Sequence, residues 1–278
     1  MLAEGHLRVA IAQFTAAIGD VHANLASMRA LLAEAAARRA DLMCFPELCL
    51  PGYLLDPAGY DAAFLAELGR AGEALQADAC RLGVRIVYGT ARRQAGFLYN
   101  VVLVTERDGG QTDYAKTHLV EAERAVFAAG HELVLAADGE LGLGCCYDLA
   151  FPRFCAGLAD AGASVLVFPM AWEQERAFVF ERIVAARAIE NVAYLICANQ
   201  NGAPGTLRFH GRSKIVDPMG NTIMEMGGQA GLAAAELDLH WVRRLRASLD
   251  RATYPLLADR LPDMPLRRGA GPVRTGAN

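Results

Sequence analysis

Val165-Leu166-Val167-Phe168-Pro169, then Glu173 through Val192, then Tyr194-Leu195-Ile196-Cys197-Ala198 is the stretch that decides the fold. The two short apolar runs, rich in β-branched and aromatic residues, read as buried strands. The segment between them places its apolar residues at helical spacing, with arginines and glutamates interleaved. Strand, helix, strand is therefore the local grammar, and it recurs outward in both directions. Further strands are predicted at Arg8–Phe14, Asp41–Pro46, Val84–Gly89, Asn100–Thr105, Gly142–Tyr147 and Lys214–Val216. Helices are predicted at His22–Arg39, Ala62–Leu82 and Arg153–Ala161. In His22–Arg39, Leu25, Met28, Leu31 and Leu32 gather on one side with charges opposite. Alternating strands and helices in one chain indicate an α/β class. Val84–Thr105 holds adjacent strands with no helix between them, so part of the sheet is antiparallel. A single domain is expected over residues 1–265, followed by a loosely ordered C-terminal tail over residues 266–278, where Arg267-Arg-Gly-Ala-Gly-Pro272 has little to hold it.

Composition narrows the function classes. The 278 residues are 54% apolar and 21% charged, ample for a buried core and without a disorder signature. A net charge of −4 provides no field for gripping a polyanion, so no nucleic-acid partner is expected. Residues 241–278 carry eight arginines against three aspartates, which leaves −9 for the remainder. Apolar runs stop near ten residues, too short for a bilayer span, so no membrane partner is expected. Met1–Ala10 has no cationic lead or apolar leader, and the seven cysteines include no C-x-x-C pair. Together these features predict a cytoplasmic protein with reduced thiols, with neither a disulfide framework nor a metal site.

The chemistry-bearing residues fall at strand ends, where α/β folds place their ligand crevices. Asp41–Pro46 delivers Glu47, Gly142–Cys145 delivers Cys146, Tyr147 and Asp148, Val165–Phe168 delivers Trp172, and Tyr194–Ala198 delivers Asn199. Cys146 is the sharpest nucleophile candidate. Composition alone does not separate it from Cys145, but alternation along a strand sets the two on opposite faces. Cys44, Cys145 and Cys197 read as small buried hydrophobes, and Cys80 and Cys155 as helix packing residues. A thiol nucleophile needs a base or a lowered pKa. Glu47, flanked by apolar residues, is a carboxylate whose burial favours proton transfer. Lys116 in a cleft would supply a fixed positive charge for a developing oxyanion. Asp148 and Asn100 read as structural.

Phe45-Pro46-Glu47-Leu48 with Pro51-Gly52-Tyr53, Tyr114-Ala-Lys116-Thr-His-Leu119 and Cys146-Tyr147-Asp148-Leu-Ala-Phe151-Pro152 together resemble the signatures of the nitrilase superfamily of carbon–nitrogen hydrolases. The Glu, Lys, Cys order and the spacings of 69 and 30 residues are similar to the family's. Ala186-Arg187-Ala188-Ile-Glu190-Asn191, Ala198-Asn199-Gln-Asn-Gly202 and Gly211–Gly220 extend the likeness over residues 8–225. The resemblance implies a four-layer αββα sandwich with a C-terminal arm, and homodimers or larger homo-oligomers that pair through the helix Arg153–Ala161. It implies a base at Glu47, a lysine at Lys116, a nucleophile at Cys146 and a second glutamate at Glu123, with Glu121 the weaker claimant. Tyr53, Tyr147, Trp172 and Asn199 are expected to line the substrate pocket, with no metal and no cofactor.

The implied reaction is hydrolysis of a small non-peptide amide through a thioester, with Lys116 and the Tyr147 N–H as oxyanion donors. On this reading Lys116→Ala would be nearly inactive yet folded. N-carbamoyl compounds and nitriles are the alternative substrates. A catalytically idle scaffold is the alternative of another class, opposed by the joint presence of Glu47, Lys116 and Cys146. Two departures stand out: Arg153 where the family carries glutamate, and Pro51 where threonine or serine is commoner.

Overall fold

In β1 (His6–Gln13), Val9 and Ile11 enter one apolar cluster while Ala10 and Ala12 enter another, all fully buried. Successive strand side chains face opposite sides, so this sheet is covered on both faces. The split repeats in β2 (Leu42–Cys44), β3 (Arg85–Gln94) and β4 (Phe97–Thr105). There Leu42, Cys44, Val87, Val102 and Val104 face one way, and Met43, Ile86, Tyr88 and Leu103 the other. The structure, a computed structural model, describes residues 5–249 and the backbone of residues 266–268.

After β5 (Gln111–Ala115) the chain builds β6 (Leu133–Ala136), β7 (Leu141–Leu143), β8 (Val165–Met170) and β9 (Tyr194–Asn199). A small pair, β10 (Asn201–Gly202) and β11 (Phe209–His210), precedes β12 (Lys214–Val216) and β13 (Thr222–Glu225). The chain then returns as β14 (Gly231–Asp238) to flank β1, and β15 (Leu266–Arg268) lies parallel to β6. Among the described residues this gives one sheet ordered β14-β1-β2-β3-β4-β5 and another ordered β13-β12-β9-β8-β7-β6-β15. The β3–β4 and β4–β5 pairs are antiparallel, as the missing helix in Val84–Thr105 requires.

Helices α1 (Val21–Ala37) and α2 (Ala62–Leu82) cover the first sheet through Met28, Leu32, Leu68 and Leu75. Past the one-turn α3 (Glu121–Arg124), α4 (Pro152–Asp160) and α5 (Ala177–Asn191) cover the second through Phe154, Leu158, Phe180 and Val184. The inner faces of the two sheets pack on each other, giving the four-layer αββα sandwich, and α6 (Leu239–Ser248) follows β14. Helix limits have local causes. Asp61 accepts the Phe64 N–H at 2.8 Å to start α2, and Gly83 ends it at φ 66°.

Two expectations change, and one strand has none. The strand predicted over Gly142–Tyr147 stops at Leu143, because Cys146 adopts φ 42° and opens the 3₁₀ turn Cys146–Ala150. β14 is not among the predicted strands, its alanine-rich run having no alternation; its eight residues pair from Gly231↔Gln13 to Asp238↔His6, and that pairing overrides alanine's helix preference. Cys80 is exposed rather than packed inside its helix. Of the stretch expected as a loose tail, Leu266–Arg268 bonds to β6; residues 250–265 and 269–278, with most of the arginine-rich arm, lie outside the described residues.

Candidate active site

Glu47 sits in a turn that remains registered on β3. Phe45 N–H donates to Val87 O at 2.8 Å, Gly89 N–H to Pro46 O at 3.1 Å and Leu50 N–H to Gly89 O at 3.2 Å. Leu48 takes φ 44° to make the turn. Gly89 lies directly beneath: a Cβ there would stand 2.1 Å from Leu48 N and 2.6 Å from Glu47 Cα. From the other sheet, Gln200 Nε2 donates to Glu47 O at 2.9 Å and Met170 O accepts the Glu47 N–H at 3.3 Å. Both sheets therefore clamp this one residue.

Lys116 follows β5, and its backbone N–H donates to Asn100 O at 2.9 Å. Its Nζ lies 2.7 Å from Glu47 Oε1 and 2.8 Å from both oxygens of Glu123, and all three side chains are 0% exposed. Asn100 Nδ2 donates to Glu47 Oε1 at 2.7 Å and to Glu123 Oε1 at 3.1 Å. Glu123 also accepts from Tyr53 Oη at 2.9 Å and from the Val120 N–H at 3.0 Å. Both Oε1 atoms and Glu123 Oε2 are thus engaged. Glu47 Oε2 is buried with no hydrogen-bond partner among the described residues.

The loop that carries Cys146 is pinned by Asp148, which is fully buried. It accepts from Cys145 N–H at 3.0 Å, His118 N–H at 2.8 Å and Tyr114 Oη at 2.7 Å, tying this loop to the lysine loop. His118 stacks on Phe151 at 3.6 Å. The positive φ of Cys146, uncommon outside glycine, fixes how the thiol leaves the turn. Upstream, Gly144 leaves room for Phe168, whose ring a Cβ would meet at 2.3 Å.

The charges follow from burial and pairing. Burial pushes the Cys146 thiol well above its usual pKa, the Glu47 carboxylate pushes it further, and Lys116 and the Ala171 N–H only partly oppose them. Burial and the neighbouring carboxylates therefore favour the thiol over the thiolate. Burial alone would lower Lys116, but the Glu47 and Glu123 carboxylates outweigh it and hold the ammonium charged. Glu123 is raised by burial, against the pull of Lys116, with the Glu47 charge adding to the rise. The constellation is a neutral thiol, a fixed ammonium and a carboxylate with one bare oxygen. Such a set can move a proton and hold an oxyanion.

Residues 8–247 match the carbon-nitrogen hydrolase family. The chain belongs to that family. Its place is in the amidase-like branch of the nitrilase superfamily, and it is an enzyme that hydrolyses carbon–nitrogen bonds. It is 32% identical over 227 residues to a 2-oxoglutaramate amidase of Bacillus subtilis, covering 78% of this chain and 85% of that one. To an (R)-stereoselective amidase of Pseudomonas it is 30% identical over 249 residues, with 88% and 89% covered. The fold superposes on the amidase from Nesterenkonia sp. AN1 with a TM-score of 0.81 at 28% identity, covering 93% of this chain and 95% of the other. That structure is a glutamate-to-glutamine variant carrying the acetamide moiety of fluoroacetamide, added covalently at its active-site cysteine.

In this carbon–nitrogen hydrolase the expected pocket residues divide. Tyr53 joins the charged cluster through Glu123 and packs edge-on to Phe209 at 5.5 Å. Asn199 is spent on backbone: its Oδ1 accepts the Trp172 N–H at 2.7 Å and its Nδ2 donates to Gly211 O at 2.8 Å. The Trp172 indole N–H donates to Arg176 O at 2.9 Å. These two residues therefore shape the loop that carries the Ala171 amide. Tyr147 is half-buried, its ring edge-on to Phe151 at 5.2 Å. Arg153 is exposed in the first turn of α4. Sequence reasoning missed Gln200, Gly89 and the part played by Asn100, whose one visible signal is a lone amide opening the apolar run Asn100–Thr105. No helix among the described residues is long and apolar enough to cross a membrane, and no cluster of three or more metal-ligating side chains appears there.

Proposed function

We propose that the protein hydrolyses a small linear amide to its carboxylic acid and ammonia through a thioester on Cys146. The observation that carries this reading is the bare, buried Oε2 of Glu47, a carboxylate whose charge bears on the Cys146 thiol and favours its protonated form. A neutral thiol must be deprotonated as it attacks, and Glu47 Oε2 is the acceptor left for that proton. Sγ bonds to the carbonyl carbon while its proton passes to Oε2, and the carbonyl oxygen becomes an oxyanion. Glu47 then returns the proton to nitrogen, the C–N bond breaks and ammonia leaves. Water next gives a proton to Glu47 and attacks the thioester; the C–S bond breaks, the proton returns to sulfur and the acid departs.

The Tyr147 N–H, in the first turn of the helical segment after Cys146, is proposed as an oxyanion donor. Lys116 has three N–H donors, matched by its three carboxylate oxygens in the resting site. Once Glu47 is protonated its hold on Lys116 weakens, and the ammonium becomes available to the oxyanion. Losing one such donor costs about 10²–10³ in rate. Glu123, held by Tyr53, keeps the lysine in place.

The test is ammonia release across a panel of linear amides, N-carbamoyl compounds and nitriles, with Cys146→Ala alongside. Release from the wild type that vanishes in Cys146→Ala is the expected result, and the best compound defines the substrate class. Release that persists in the variant overturns the thioester reading.

A further inference from the structure

Asn100 is a polar residue in the middle of a buried strand pair, opposite Ala91 of β3 and 0% exposed. A buried amide is tolerated when its hydrogen bonds are made. Its nitrogen meets Glu47 Oε1 at 2.7 Å and Glu123 Oε1 at 3.1 Å, and among the described residues its oxygen meets the Cys145 thiol, at 4.0 Å. Reversing the amide would set Oδ1 against two carboxylate oxygens, so chemistry fixes the orientation. The residue is thus a neutral double donor placed between two acids, on the strand whose carbonyl also anchors the Lys116 backbone.

We infer that Asn100 is a positioning residue for the base: with Lys116 it occupies Glu47 Oε1, locks the carboxylate against rotation and leaves Oε2 as the atom that takes the thiol proton. The inference rests on the thioester reading above. A lysine alone would hold Oε1 through one contact about which the carboxylate could turn, while the second donor, from another strand, defines its plane. Being uncharged, Asn100 does this without adding a second cation that would compete with Lys116. The groups that face the two carboxylates are Lys116, Tyr53, Tyr60, Cys145 and Cys146, with the Val120 N–H.

The experiment measures kcat, KM and the pH profile of kcat/KM for Asn100→Leu and Asn100→Asp on the best amide of the panel, with a thermal melt of each. Leucine keeps the bulk and removes both donors. We expect kcat to fall about 10- to 100-fold with KM near wild type. The acid limb should move to higher pH, because a carboxylate that loses a donor holds its proton more readily. Aspartate adds a like charge and should move the limb further in the same direction. A purely structural role would lower the melting temperature and leave the limb in place. Folded variants with wild-type kcat and an unmoved acid limb overturn the inference.

Should leucine not fold, Asn100→Ser, too short to reach either carboxylate, carries the same readout. Should no amide be turned over, the pH dependence of Cys146 alkylation replaces turnover, since the Glu47 charge bears on that thiol; a profile identical to wild type overturns the inference. Failure of the thioester reading is separate, because it shows in Cys146→Ala and not in the Asn100 variants.

Discussion

Gly89→Ala is the sharpest perturbation of Glu47, the proposed base, that leaves every site residue unsubstituted. Gly89 is outside the left-handed region, so alanine fits its backbone dihedrals and the effect is one of space. The new Cβ would lie 2.1 Å from Leu48 N, against 3.4 Å for an ordinary contact, a deficit of about 1.3 Å. Little of this can be absorbed by sliding the turn outward, because Gln200 and Met170 hold the Glu47 peptide from the opposite sheet. The Glu47–Leu48 peptide must tilt and carry the carboxylate with it. A displacement near 1 Å costs about 10² in rate, and overpacking costs about 1–3 kcal/mol in stability. Turnover of the best amide and urea denaturation measure the two effects. Iodoacetamide labelling reports whether the Cys146 loop, which belongs to the other sheet, is intact. Gly69→Ala serves as the control: it lies in α2 with nothing within 4 Å of an added Cβ, and should leave kcat unchanged. Gly89→Ala with kcat within about twofold of wild type, in a folded protein, would refute the argument that close backbone approach positions the base.

Two further outcomes are open to direct measurement. Lys116→Met should be inactive and, unlike the folded variant the sequence suggests, destabilised by about 3–5 kcal/mol near pH 7, because two fully buried carboxylates lose their cation. Lowering the pH should recover part of that stability as the carboxylates protonate; a denaturation midpoint equal to wild type at pH 7 would count against the buried pairing. Alkylation of Cys146 should climb about tenfold per pH unit through neutrality, because its thiol pKa is raised, and Glu47→Gln should displace the curve toward lower pH by removing the neighbouring negative charge. A plateau below pH 7 in the wild type would mean a stored thiolate instead.

The alternation of strands and helices was legible because both sheets are buried on both faces, which makes their strands apolar throughout. α2 was legible to the residue, since Asp61 and Gly83 mark its ends. β14 was not, because its strand character comes from pairing with β1 and not from its own alanines. Glu47, Lys116 and Cys146 each follow a strand and could be singled out by type and by resemblance. What tunes them could not. The Ala171 amide and the Val120 N–H are backbone groups with no residue signature. Asn199 and Trp172 have side chains that suggest a pocket, yet their polar atoms are consumed in holding the loop. Asn100 is one amide in an apolar strand, and only register shows that it points between two acids.

The charge balance of the cluster favours a thiol over a thiolate at Cys146. Glu47 and Glu123 set two carboxylates against the one ammonium of Lys116, all out of contact with water. A stored thiolate would be a third anion in the same low-dielectric space, and Lys116 already divides its charge between two partners. On the proposed mechanism the proton remains on Cys146 until an incoming carbonyl offers its oxygen as a place for the negative charge to go. On this view the excess of acids over bases couples deprotonation to substrate arrival. It also protects the thiol between turnovers, since oxidation and adventitious alkylation both require the thiolate. In that mechanism Lys116 would serve two anions in sequence: the carboxylate of Glu47 at rest and the substrate oxyanion after the proton has moved. A single lysine suffices for both, because the first ceases to be an anion as the second forms.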